Sequence, residues 1–190
     1  MKALLRPSVT VLFVMTLLLG VAYPLAVTGL AQLLFPHQAN GSLLLRGGRP
    51  AGSALVGQFF DDPRYFRGRP SATGPIPYNA AASGGSNLGP SNPALVKVIR
   101  ERIDALRWAD PGQQEAIPVD LVTASASGLD PHISPAAALY QVSRVARARG
   151  LDEETVRQMV LARVRKRELG ILGEPVVPVL ELNMAMDARR

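Results

Sequence analysis

From Pro7 to Leu45 the chain contains no Lys, Arg, Asp or Glu, and the stretch SVTVLFVMTLLLGVAYPLAVTGLAQLLF inside it is almost wholly apolar. No other feature restricts the fold as much. Roughly 20 consecutive apolar residues cross the hydrocarbon core of a bilayer, so this run is long enough to span with some tilt. Lys2 and Arg6 ahead of it also supply the basic start of a secretory signal peptide, which is the rival reading. The apolar region of a signal peptide is about 7–15 residues and ends at an A-x-A-like site. This run is longer, and AVTGLAQ matches such a site poorly. The reading adopted is an uncleaved signal-anchor helix over residues 8–35, behind a tail of residues 1–7. Pro24 falls inside it, where a missing N–H frees a carbonyl and kinks a helix, and a neighbouring helix is the usual remedy. Lys2 and Arg6 favour a cytoplasmic N-terminus, which sends everything after Phe35 outward.

With a net charge of +6 and a pI near 10.3, the chain invites a nucleic-acid reading. The basic residues are spread out, however, and only Lys2, Lys97 and Lys166 are lysines. The densest run, RVRKRE, is read as the basic end of a helix, where cations complement the dipole. No aromatic interleaving accompanies it, so no nucleic-acid partner is expected. Zero Cys excludes a disulfide framework and thiolate metal sites. No His, Asp and Glu cluster has ligand spacing, so no metal is expected.

Behind the anchor, residues 36–92 are rich in glycine and proline, and with Pro93 they hold 10 of the 17 glycines and 8 of the 16 prolines. The apolar and aromatic residues of SLLLRGG, GSALVGQFF and DPRYFRGRPSA need burial, so short strands and tight turns held by contacts with something else, a partner, are expected. Residues 93–190 read as a compact α/β region that completes one domain with 36–92. Asn92 caps a helix with Pro93 at its first position and an apolar stripe up to Trp108. VDLVTASAS reads as a strand. Ser134 and Pro135 open a second helix that ends at Gly150, and Asp152 caps a third, EETVRQMVLARVRK. PVVPVLELNM reads as a closing strand. The fold class expected is thus a small extracytoplasmic α/β (α+β) domain on one transmembrane helix.

Two constellations carry possible chemistry. Asp130, His132 and the nearby Ser125, Ser127 or Ser134 are the residue types of a nucleophilic triad, but no Gly-x-Ser-x-Gly elbow presents a serine and Ser134 is better used as a cap. No catalytic residue is assigned. SGGSNLGPSN lacks the lysine and final Ser/Thr of a Walker loop. What remains is a glycine-rich turn, Ser83, Gly84, Gly85, Ser86 and Asn87, whose amides form an anion nest ahead of the Asn92-capped helix, and this is the candidate nucleotide site. The competing reading is a rigid docking turn whose Asn side chains bond their own backbone. Tyr78, Asn79, Leu88, Asn92, Asp130 and His132 are the candidate partner-docking residues.

GSALVGQFF, YFRGRPSA, YNAAASGGSNLGPSN, VTASASGLDPHISPAAA with QVSRVARARGL, and LGEPVVPVLELN, in that order, resemble the C-subunit family of the Kdp potassium-transporting ATPase. The resemblance covers nearly the whole chain. It implies a single-pass subunit of the bacterial inner membrane with a periplasmic domain, partnered by a channel-like potassium-translocating subunit and a P-type ATPase subunit. It implies a non-catalytic role in assembly, with no tightly bound cofactor. It also implies a catalytic-chaperone role, raising the ATP affinity of the hydrolysing subunit through a ternary complex with nucleotide.

Overall fold

A computed structural model describes residues 2–189, in two units that divide between Leu43 and Leu44. The first is helical. Helix α1 (Lys2–Leu17) passes through one π turn, Leu18–Ala22, into α2 (Tyr23–Leu34), and a short α3 (Pro36–Ala39) follows. Ala3–Leu34 is long and apolar enough to cross a membrane, and none of its most apolar window is buried within the chain. The expected disturbance at Pro24 takes the form of the π turn: the Tyr23 N–H reaches back five residues to the Leu18 carbonyl. One wider turn relieves the clash of a proline ring with the preceding turn without breaking the helix. Ser8 and Thr10 donate their hydroxyls to the carbonyls of Leu4 and Arg6, at 2.7 and 2.9 Å, so neither hydroxyl is left bare on an apolar helix.

A hairpin begins at the division, β1 (Leu43–Arg46) and β2 (Arg49–Ser53), turned by Gly47 and Gly48 at φ +57° and +78°. Two successive positive φ values are what a two-residue hairpin turn requires, and glycine alone takes them without cost. An irregular stretch leads to α4 (Pro93–Ala109), capped by the Asn92 side chain as expected. The core lies in the rest: β3 (His132–Ile133), α5 (Pro135–Tyr140), α6 (Val142–Arg149), α7 (Glu153–Leu161), β4 (Val177–Pro178) and α8 (Val179–Ala188). β3 and β4 pair antiparallel, His132 opposite Pro178 and Ile133 opposite Val177. Val142, Val145, Val156, Val160, Leu182 and Met186 are buried together beside them. Ser134, Asp152 and Gly150 take the capping roles the sequence predicts, Gly150 at φ +65°.

Three expectations are corrected. VDLVTASAS is not a strand: Val119–Leu121 is a single 3₁₀ turn, and the Thr123 hydroxyl bonds the Val119 carbonyl while Ser125 Oγ accepts from the Gly128 N–H. Short hydroxyl side chains here give the backbone local partners in place of a ladder. The closing strand is only Val177 and Pro178, after which the chain turns helical and buries Val179, Leu182, Asn183 and Met186 on one face. The third helix stops at Leu161, so RVRKRE is not its end. Arg165 instead exchanges backbone bonds with Val176 at 2.8 and 3.0 Å, and Val164 packs on the core.

The irregular stretch owes its shape to side chains from the core. Asn183 grips the Phe66 backbone from both sides, accepting its N–H at 2.8 Å and donating to its carbonyl at 2.9 Å. Gln141 does the same to Arg67, at 2.9 and 3.1 Å. Arg144 donates to the carbonyls of Pro63 and Tyr65, and Arg149 Nε to that of Arg64. Five consecutive carbonyls, residues 63–67, are therefore satisfied by side chains, and Phe66 is fully buried in the core. These contacts come from within the chain, not from the partner that the glycine and proline content suggests. Burial and the neighbouring Arg67 charge lower the Arg144 pKa to about 10, which leaves it a cation at neutral pH.

Candidate functional site

Loop 83–87 is seated on the turn formed by residues 125–128. The Gly84 N–H and the Ser83 hydroxyl both donate to the Ser127 carbonyl, at 2.9 and 3.0 Å. A Cβ on Gly85 would lie 2.9 Å from the Ala126 carbonyl oxygen, so the close approach of two backbones selects glycine there. One of the five amides of the candidate nest is thus bonded within the chain. Ser83, Ser86 and Asn87 are exposed, and Asn87 holds a positive φ of 53°.

Ser71 joins this seat to the neighbouring docking candidates. Its hydroxyl donates to the Gly128 carbonyl at 2.7 Å and accepts the Tyr78 N–H at 2.9 Å. Tyr78 sits at φ +57°, half-buried, its hydroxyl donating to the Arg69 carbonyl at 2.5 Å. Burial, reinforced by the Asp130 charge, pushes the phenol pKa up to about 12, so it stays a neutral donor. Asn79 donates its N–H to Thr73 Oγ1, and its side chain bridges the Gly74 carbonyl and the Ala81 N–H. Tyr78, Asn79 and the 83–85 loop therefore form one framework. Leu88 lies half-buried beyond it, and Asn92 caps α4 through the Ala94 N–H, with no bond to the framework.

Asp130 and His132 form a second cluster with Arg69. Asp130 receives Arg69 Nη1 at 3.3 Å and the His132 N–H at 3.0 Å, while His132 Nδ1 is 3.7 Å from its carboxylate. His132 Nε2 is buried without a partner, and burial lowers the imidazole pKa against the pull of Asp130. The serines of the notional triad are engaged elsewhere: Ser125 and Ser127 accept from turn N–H groups, and Ser134 caps α5 while donating to Asp120 at 3.1 Å. Among the described residues no three His, Asp or Glu side chains gather as metal ligands would. The sequence reading missed Ser71, Gln141, Arg144 and Asn183, because each acts on backbone far away in the chain.

Fold and site together define a class: a mixed α/β unit of short elements behind one membrane-length apolar helix, with Tyr78, Asn79 and the 83–85 loop tied into one framework. The family model described as K+-transporting ATPase, c chain matches residues 5–188. A potassium-transporting ATPase KdpC subunit of Polaromonas naphthalenivorans is 68% identical over 188 residues, 99% of this chain and 96% of that protein. Those of Methylibium petroleiphilum and Sorangium cellulosum are 63% and 61% identical over 190 residues, 100% of both chains in each case. The chain belongs to the KdpC family.

Proposed function

We propose that this chain is the non-catalytic accessory subunit of a high-affinity, ATP-driven potassium uptake complex, required for the complex to assemble and remain stable. The observation that carries the reading is the family match at 5–188, which spans the membrane-length helix and the α/β unit alike. In this reading the helix is the single-pass anchor in the bacterial inner membrane and packs on the channel-like potassium-translocating subunit. Lys2 and Arg6 keep the N-terminus cytoplasmic, and the α/β unit stands in the periplasm. The role toward the P-type ATPase subunit is that of a catalytic chaperone, raising its ATP affinity through the assembly, because two sites on opposite membrane faces communicate only through a connected two-state element.

Deleting the chain tests the reading: the ATPase complex should be lost or inactive in potassium-limited growth, and normal recovery of an active complex would sink it. Protease accessibility of a C-terminal tag, in intact against permeabilised cells, tests the placement. A tag cleaved only after the inner membrane is opened reverses the topology.

A second reading is direct nucleotide binding by Ser83–Asn87, favoured by the exposure of Ser83, Ser86 and Asn87 at a glycine turn. Photolabelling with an azido-ATP analogue, competed by ATP, distinguishes it. Labelling that is unsaturable, or unmoved by Gly84→Ala with Ser86→Ala, removes it.

A further inference from the structure

A cavity of about 300 Å³ lies between α4 and the irregular stretch before it, and Arg67, Arg69 and Arg102 are among the residues that line it. Two of the three have counter-ions: Arg67 is 3.7 Å from Asp61, and Arg69 is 3.3 Å from Asp130. Arg102 has none. Its Nη1 donates to the Val122 carbonyl at 2.8 Å, and no carboxylate among the described residues lies within ion-pair distance. Burial alone moves its pKa, downward, with no charge offsetting it. Among the described residues Asp61 is the one carboxylate lining the cavity, and its side chain is 82% exposed, where solvent screens it. A half-buried cation satisfied only by a carbonyl is a site short of an anion.

The surroundings say what carries that anion. Of the apolar stripe of helix α4, Leu106 lines the cavity and also packs on the core, while Leu95, Val98, Ile99 and Ile103 are half-buried and do not line it. Phe59, at the cavity, is 64% exposed. A free anion would neutralise Arg102 and leave the Phe59 ring in water. A polypeptide segment with one acidic side chain among apolar ones would cover both, and arginine with aromatic residues, free of lysine, is the composition of an interface centre.

We infer that the α4 cavity is a docking pocket for an Asp or Glu side chain, carried on an apolar segment of a partner polypeptide, with Arg102 as its ligand. This rests on the accessory-subunit reading above.

The test is titration of the detergent-solubilised full chain onto the channel-like partner subunit, purified separately. Arg102→Gln removes the charge, and Ala105→Phe, at an exposed position on the cavity wall, fills the space and keeps the charge. Each should weaken association at least about tenfold, the scale of a lost charge-assisted bond, with the melting temperature of the free variants little changed. Arg102→Lys should fall between, since it keeps a point charge and loses the fork. Unchanged association in both Arg102→Gln and Ala105→Phe overturns the pocket. So does weakening by Arg102→Gln alone, which would place the charge effect outside the cavity, or full competition by millimolar acetate or phosphate, which would make it a free-anion site. If the wild-type chain itself fails to associate, it is the accessory-subunit reading that falls.

Discussion

Tyr78 is a bulky residue held at positive φ, a conformation that costs roughly 1–2 kcal/mol in a non-glycine residue and persists only where the surroundings enforce it. Two glycines and two hydrogen bonds do so. A Cβ on Gly57 would lie 2.4 Å from the Tyr78 ring and 2.5 Å from the Asp130 carbonyl oxygen, and one on Gly68 would lie 2.6 Å from the phenol oxygen. Gly57→Ala should therefore destabilise the α/β unit by about 1–3 kcal/mol, the cost of overpacking a filled site. Tyr78→Phe should cost about 1 kcal/mol, for one bond to the Arg69 carbonyl. Urea titrations read both, and a Gly57→Ala midpoint equal to wild type would show that Tyr78 moves aside freely. The sequence singles out Tyr78 but not Gly57 or Gly68. The need for those glycines arises from contacts with chain 10, 21 and 73 residues away, and no local pattern encodes it.

Among the elements, what could be read in advance divides by range. Caps act within about one turn, so Asn92, Ser134, Asp152 and Gly150 were legible, and Ser134→Ala should cost about 0.5–2 kcal/mol by freeing the Ala137 N–H and Asp120 Oδ1 while Asp120 Oδ2 keeps its backbone bond. Thermal unfolding of this variant checks it, with no shift as the contrary outcome. Helix α8 was misread because Pro175, Val176, Val177 and Pro178 look like an edge strand, although Val179, Leu182, Asn183 and Met186 already repeat at helical spacing. The clamp on residues 63–67 was not legible at all: Asn183 acts across 117 positions and Gln141 across 74. Asn183→Ala should leave the buried Phe66 N–H and carbonyl both unpaired, at about 1–3 kcal/mol for each group stranded. Amide hydrogen exchange at residues 64–68 should rise in this variant more than exchange in α5 and α6. An even rise across the unit would mean that the clamp is no separate element.

For the whole α/β unit, the end of α8 is the tie point. Asp187 accepts from Arg46 at 2.8 Å, from Arg149 at 2.9 Å and from the Tyr65 hydroxyl at 3.1 Å, and Arg149 also stands 5.0 Å over the Tyr65 ring. Hairpin, irregular stretch, α6 and α8 thus meet on one carboxylate. Burial pushes the Asp187 pKa up, but the bonds donated by Arg149 and Tyr65 and the charges of Arg149 and Arg46 outweigh it, so the folded value lies below 3.8. A depressed folded pKa gives stability that is complete above the unfolded value and lost as pH falls through the folded one. His132 acts at higher pH in the same direction. Burial holds its pKa below 6.5, so from 6.5 downward the unfolded chain binds a proton that the folded chain refuses. Stability should therefore be level between about pH 7 and 9, decline gently below 6.5, and fall again below about 4. In urea titrations across this range, His132→Gln should remove the upper decline and leave the lower one intact. Asp187→Asn should lower the neutral plateau by about 1–3 kcal/mol and flatten the acid limb, because an amide accepts from arginine without a charge to lose. An Asp187→Asn profile parallel to wild type down to pH 3 would show that the three groups meeting there contribute packing and no pH-dependent bond.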